Sequence, residues 1–180
     1  MTDPIIRVAD IAWGRIRSPD LDKQEEFLTR FGMIRSARTD TALYMRGTTS
    51  SHHIHVTELG DPGFVSLAFR ASSEDDLHKL AAEAEGASSV EDIDEPGGGK
   101  RVRLTEPNGY TIEVVHGVEE VAEIPIERHA YNFGNIDKYK RAGELWRVDK
   151  GPARVMRIGH GVLGTTKLEG AQPGSASTLA

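Results

Sequence analysis

Ile11-Ala12-Trp13-Gly14-Arg15-Ile16-Arg17-Ser18-Pro19-Asp20-Leu21-Asp22 passes from a β-prone strand directly into a helix start. It has an echo at Ile158-Gly159-His160-Gly161-Val162-Leu163-Gly164-Thr165-Thr166-Lys167-Leu168-Glu169. In each stretch a strand with a central glycine leads to a hydroxyl residue able to cap a helix, so the two read as openings of one repeated unit. In the first copy, Ser18 is expected to cap, Pro19 to take the first helical position, and Asp20 to favour the positive helix end. Leu21, Phe27, Leu28 and Phe31 then recur near one helical face, and Gly32 stands where a left-handed C-terminal cap is expected. Met33–Ser36 and Thr41–Met45 read as short strands broken near Arg38-Thr39-Asp40. His52–Glu58 reads as another, ended by Gly60-Asp61-Pro62-Gly63.

A similar unit follows. Phe64–Arg70 alternates, with Val65, Leu67 and Phe69 on one face. Ser72 or Ser73 caps a helix with Glu74, Asp75 and Asp76 in its first turn and Leu77, Leu80, Ala81 and Ala84 as its apolar stripe, ended by Gly86. A strand within Ala87–Ile93 is weakly written, and Glu91–Lys100, with Pro96-Gly97-Gly98-Gly99, reads as a loop. Arg101–Thr105 and Tyr110–His116 pair around Glu106-Pro107-Asn108-Gly109. Strand–helix–three strands, twice over, predicts an α+β fold: paired βαβββ modules forming a curved mixed sheet with helices on the outer face. Residues 5–116 are then one complete domain. Residues 117–154, which scatter Tyr131, Phe133, Tyr139 and Trp146 among glycines and prolines, are expected to wrap onto it. Residues 155–169 open an incomplete second domain with a strand at 155–163, and residues 170–180 read as a disordered tail.

Composition narrows the function. The chain has 180 residues, no cysteine, 22 Lys plus Arg against 28 Asp plus Glu, and a formal net charge of −6. There is no disulfide framework, no thiolate metal site and no cysteine nucleophile. The acidic balance gives no general attraction to phosphate backbones or anionic lipid, so nucleic acid and membrane are excluded as first partners. No apolar run approaches a membrane span of about 20 residues. No leader is readable at Met1-Thr2-Asp3-Pro4, and a cytoplasmic setting is expected. Pro96-Gly97-Gly98-Gly99-Lys100-Arg101 lacks phosphate-loop spacing, and no G-x-S-x-G elbow occurs.

The βαβββ pairs, the Ser18-Pro19-Asp20-Leu21 helix entry, the Glu106-Pro107-Asn108-Gly109-Tyr110-Thr111-Ile112-Glu113 hairpin and the Ile158–Leu163 strand together resemble the vicinal oxygen chelate superfamily. That group contains glyoxalase I, bleomycin- and fosfomycin-resistance proteins and type I extradiol ring-cleavage dioxygenases. The resemblance is strongest to the N-terminal module of the two-module extradiol enzymes. It implies that the first module has lost its metal ligands and that the second holds Fe(II) through two His and one carboxylate. It places Trp13, Ser66 and Glu113 at the three ligand positions of the first module, where only Glu113 is a useful ligand. Strand parity independently turns Ser66 and Glu113 away from their apolar neighbours. The resemblance also puts His160 at the first His position of the second module, and makes His160 the one metal-ligand candidate of this chain.

Three functions follow as expectations. The first is an extradiol dioxygenase-like protein opening catechol-type aromatics with Fe(II), if the second-module site is completed; the chain by itself carries at most one iron ligand. The second is a metal-free binding protein of the bleomycin-resistance kind, in which Trp13 stacks on a planar ligand. The third is a glyoxalase-like metalloenzyme assembled across a dimer. A small aromatic molecule is the expected ligand. A homodimer is the expected assembly, with residues 155–163 packed on a neighbour or back on their own module. In Ser51-His52-His53-Ile54-His55, parity predicts His53 and His55 together on one face, a weak grip for a metal without a third ligand. His78 reads as solvated, and His116 and His129 flank loops without a constellation around them.

Overall fold

Strand alternation sorts the apolar residues onto two faces, and the helices cover one of them. The computed structural model describes residues 4–126 and 151–164. The elements run β1 (Val8–Ser18), α1 (Leu21–Phe31), β2 (Ile34–Arg38), β3 (Ala42–Arg46), β4 (His55–Leu59), β5 (Gly63–Ala71), α2 (Glu74–Glu83), β6 (Glu91–Asp92), β7 (Lys100–Thr105) and β8 (Thr111–His116). They build one eight-stranded mixed sheet in the order β2-β3-β4-β1-β5-β8-β7-β6. Each βαβββ unit lays its first strand beside its last, β1 parallel to β4 and β5 parallel to β8, and the units join through antiparallel β1 and β5. The fold is α+β, as the double strand–helix rhythm predicts.

On the helix face, Leu77 and Leu80 of α2 pack with Leu67, Val102, Leu104, Ile112 and Val114, while Leu21 and Leu28 of α1 pack with Leu43 and Met45. The intervening strand residues turn the other way: Trp13, Tyr44, Val56, Ala68 and Val115 cluster with Ile93 on the opposite, concave face. Phe27 and Phe31 do not join the α1 core; they stack on each other, 60% and 56% exposed.

Local signals differ from expectation in small, explicable ways. Asp20, not Ser18, caps α1: its carboxylate accepts from Lys23 N at 3.0 Å, and Pro19 precedes the cap. Asp20 takes the cap because it stands immediately before the first helical turn, whereas Ser18 is still paired in β1. Ser73 caps α2 in a reciprocal box with Asp76. Glu91 and Asp92, inside the weakly written strand at Ala87–Ile93 and at the start of the expected loop, form the short strand β6 against Arg101 and Lys100. Strand β4 begins at His55 rather than His52, because the chain bends through Ser51–Ile54.

The expected strand at 155–163 is not formed. Residues 151–164 instead run as a strap with no helix or strand, packed back on the first module. Val155 O accepts from Thr48 N at 3.0 Å, Arg157 pairs with Asp10 at 3.0 Å, Leu163 packs on the α2-side core, and Gly164 O accepts from Tyr110 Oη at 2.9 Å. Residues 118–124 run beside Thr48–Ser51, with Val121 N and Ile124 N donating to Ser50 O and Thr48 O, each at 2.8 Å. His129, the aromatics at 131–146, the helix start at 165–169 and the tail at 170–180 lie outside the described residues.

Gly32 is where the strap meets α1. It has φ +108°, and a Cβ there would collide with the carbonyl oxygen of Ala153. Gly32→Ala is therefore expected to cost roughly 1–3 kcal/mol. Limited proteolysis checks it: the variant should be cut faster within residues 151–164, whereas an unchanged cleavage rate counts against the strap contact.

Candidate functional site

The concave face is built by β1, β3, β4, β5, β7 and β8. Register shifts in the β1–β5 pairing, between Ile11 and Trp13 and between Arg15 and Ile16, re-aim successive β1 residues. Trp13 and Arg15 both enter the concave face, and Arg15 stands opposite Ser66. Parallel pairing of β5 with β8 sets Ala68 opposite Glu113 and brings Ser66 within reach of it. The three positions that the resemblance marks, Trp13, Ser66 and Glu113, thus share one face and are 1%, 1% and 2% exposed.

Their chemistry is that of an ion-paired core. Ser66 Oγ donates to Glu113 Oε1. The Arg15 guanidinium faces three carboxylates: Nη1 lies 2.9 Å from Glu58, Nη2 2.7 Å from Glu95, and Nε 3.6 Å from Glu113. Arg101 Nη1 bridges Glu95 at 3.0 Å and Glu113 at 3.3 Å, and Tyr44 Oη donates to Glu95 at 3.1 Å. Burial disfavours the charged form of Arg15, but Glu95, Glu113 and Glu58 outweigh it and raise its pKa above the ordinary value. Burial likewise works to raise Glu95, yet hydrogen bonds and charge from Arg15, with Arg101 and Tyr44, hold it below the usual carboxylate range. Tyr44 is raised, by burial first and then by the Glu95 charge.

At the rim, His53 packs on Trp13 with ring centroids 4.5 Å apart, and edge-on to Tyr44 at 5.3 Å. His52 Nδ1 and His53 Nδ1 are 2.9 Å apart, within hydrogen-bond distance. Burial, then the neighbouring His52 and Arg15, pushes the His53 pKa down to about 3. His55 is not beside His53, as parity predicts. It hydrogen-bonds Thr57 at 2.8 Å and sides opposite Val56, because the bend at Ser51–Ile54 breaks the alternation. Burial pushes the His55 pKa down to about 4. The histidine pair is therefore split across the sheet.

The residues present do not fit a metal ion in this cup. Trp13 offers no donor lone pair, and the Glu113 oxygens are engaged by Ser66, Arg15 and Arg101. Among the described residues no group of three or more His, Asp or Glu is arranged to hold an ion. His160 is exposed on the strap, between Gly159 and Gly161. A Cβ on Gly161 would lie 2.7 Å from Leu67 Cδ2, so His160 runs over the helix side, with the sheet between it and the cup. His78 is exposed at 62% of its side chain. Sequence reasoning missed Arg15, Glu58, Glu95 and Arg101. A charged residue two positions from Trp13 in an apolar strand was the one local signal, since such a residue shares the face of Trp13.

No helix among the described residues is long and apolar enough to cross a membrane. Comparison with known proteins places the chain in its family. No curated protein matches. Among solved structures, a Mn(II)-bound glyoxalase from Novosphingobium aromaticivorans is similar, with TM-score 0.62 and 23% identity over 68% of this chain and 43% of the other. Homoprotocatechuate 2,3-dioxygenase from Brevibacterium fuscum, in complex with 3,4-dihydroxyphenylacetate, matches with TM-score 0.61 and 22% identity over 68% of this chain and 41% of the other. The enzyme of the same name from Arthrobacter globiformis matches with TM-score 0.61 and 23% identity, covering 68% and 40%. The chain thus spans less than half the length of these structures, and at such identity the likeness is one of fold. A family model for the Glyoxalase/Bleomycin resistance protein/Dioxygenase superfamily matches residues 7–114, and with the two βαβββ units already in view, the chain belongs to that superfamily.

Proposed function

We propose that residues 5–116 are the metal-free, structural module of an extradiol dioxygenase-like protein, and that Fe(II)-dependent opening of a catechol-type ring is the work of a second module. The observation that carries this reading is the Arg15 guanidinium, which stands among Glu58, Glu95 and Glu113 where a catalytic metal would need free carboxylates. In this arrangement His160 supplies one imidazole to the second module and the remaining ligands come from its later strands. A small aromatic molecule is the ligand and a homodimer the assembly. The metal-free binding alternative requires Trp13 as a stacking platform, but Trp13 is 1% exposed and lies under His53. The glyoxalase-like alternative requires ligands that the cup has committed to ion pairs.

Metal and turnover measurements on the purified chain test the proposal. After chelation and dialysis, anaerobic titration with Fe(II) or Mn(II) is expected to give far less than one equivalent bound in the cup. No ring cleavage of 3,4-dihydroxyphenylacetate should follow. One tightly held equivalent that disappears in Glu113→Gln would place the metal in the first module and overturn the reading.

A further inference from the structure

We propose that the strap is a strand awaiting its partner, and that Ile158–Val162 pairs, antiparallel and about a two-fold axis at His160, with the same residues of a second copy of this chain. The inference rests on the homodimer proposed above and deepens it by naming the surface through which the copies meet.

The strap has the run of a strand and none of its pairing. Residues 152–164 pass without a turn or a bend, and neither Gly159 nor Gly161 has a positive φ. Both ends are tied down. Val155 N donates to Gly32 O and Val155 O accepts from Thr48 N, Met156 O accepts from Thr49 Oγ1, and Gly164 O accepts from Tyr110 Oη. Between these ties, the backbone N–H and C=O groups of Ile158–Leu163 make no hydrogen bond among the described residues. Such a row of open backbone groups is a template for another strand. One face is committed to the module: a Cβ on Gly161 would lie 2.7 Å from Leu67 Cδ2, and Leu163 packs on the α2-side core. Alternation then turns His160 and Val162 outward, and Val162 is 90% exposed.

The order of residues identifies the occupant. Ile158-Gly159-His160-Gly161-Val162 reads alike in both directions: β-branched, glycine, histidine, glycine, β-branched. Antiparallel pairing about His160 sets Ile158 opposite the partner's Val162, Gly159 opposite the partner's Gly161, and His160 opposite the partner's His160. The exposed Val162 thereby gains a β-branched cross-strand neighbour, and the glycine pairs bring no side chains that must be displaced. The contact is isologous and closes at two copies. Glycine weakens the interior of a strand, which accords with a segment that stays unpaired on its own module. Pairing uses backbone groups and leaves both imidazoles on the outward face, free for the role proposed for His160.

The chain has no cysteine, so single introduced thiols report the contact. Directly opposed residues of an antiparallel pair have Cα atoms about 4.5–5.5 Å apart, within the reach of a disulfide. Under mild oxidation, the full chain carrying His160→Cys is expected to form a linked dimer at least about tenfold faster than Lys23→Cys. Lys23, on α1, has a side chain 84% exposed and serves as the control. Ile158→Cys and Val162→Cys should each link slowly alone, because each lies about 13 Å along the ribbon from its own copy. Mixed one to one, they should link quickly. In sedimentation, the native chain is expected to be a dimer, and His160→Asp, which sets two carboxylates face to face, should weaken it at least about tenfold. A native chain that sediments as a monomer at every concentration overturns the homodimer and the strap pairing together. A native dimer overturns the strap pairing alone if His160→Cys links no faster than Lys23→Cys, if Ile158→Cys and Val162→Cys link as fast alone as mixed, or if His160→Asp leaves it unchanged.

Discussion

Lowering the pH from 7 to 5 is expected to remove about 4 kcal/mol of folding free energy, through His53 and His55 together. Unfolded, each imidazole takes up a proton near pH 6.5; folded, His53 does so only near 3 and His55 near 4. Burial dominates both shifts, since each ring lies in a surface that cannot solvate a charge, and Arg15 and His52 add repulsion at His53. Between those values the unfolded chain binds protons that the native chain refuses. Stability is therefore complete above about pH 6.5, falls as the pH drops, and stops falling through His55 near pH 4 and through His53 near pH 3. His52, also lowered by burial, acts in the same direction. Glu95 has the opposite window: its depressed pKa contributes stability above the ordinary carboxylate range that is lost only at lower pH. The early loss thus belongs to histidine. Urea unfolding at pH 7 and 5 measures it, and His53→Gln/His55→Gln should flatten the dependence. An unchanged midpoint between the two pH values in the native chain would show that the rings are not held neutral by burial.

Glu113→Ala is expected to cost about 3–5 kcal/mol, the penalty for leaving buried charge without its counter-charge. The residue is 2% exposed, and its removal strips Arg101 Nη1 and Ser66 Oγ of an acceptor and Arg15 Nε of a counter-charge 3.6 Å away. Glu113→Gln keeps the shape and an acceptor for Ser66, so roughly half that loss is expected. The three glutamates around Arg15 have side chains 3% (Glu113), 22% (Glu95) and 34% (Glu58) exposed, and the cost of Ala at each should fall in that order. Denaturant unfolding of the three variants gives the ranking. A Glu58→Ala chain as destabilised as Glu113→Ala would sink the idea that desolvation governs this cluster.

Much of the fold was legible because its signals are local. The Gly32 cap, the Ser73 cap, the Gly109 turn and the alternation around Leu67 and Val114 each depend on residues within a few positions of one another. Parity also turned Ser66 and Glu113 to the face where the structure places them. The same reasoning failed at His53 and His55, where a bend before β4 interrupts the period on which parity depends. It failed again at Val155–Leu163, whose apolar residues read as a strand although they run as a strap held by isolated contacts at Thr48 and the α2-side core.

By itself, the chain of residues determined the repeated βαβββ rhythm, the helix limits to within a residue or two, and the absence of a useful donor at Trp13. Tertiary structure decided what fills the cup. Arg15 meets Glu58 across 43 positions and Glu95 across 80. No short-range preference encodes such meetings; they follow from the pairing of β1 with β4 and β5, which carries Arg15, on the face of Trp13, to its distant partners. A buried charge must find its partner wherever the sheet delivers one, and that delivery is a property of register rather than of neighbouring residues.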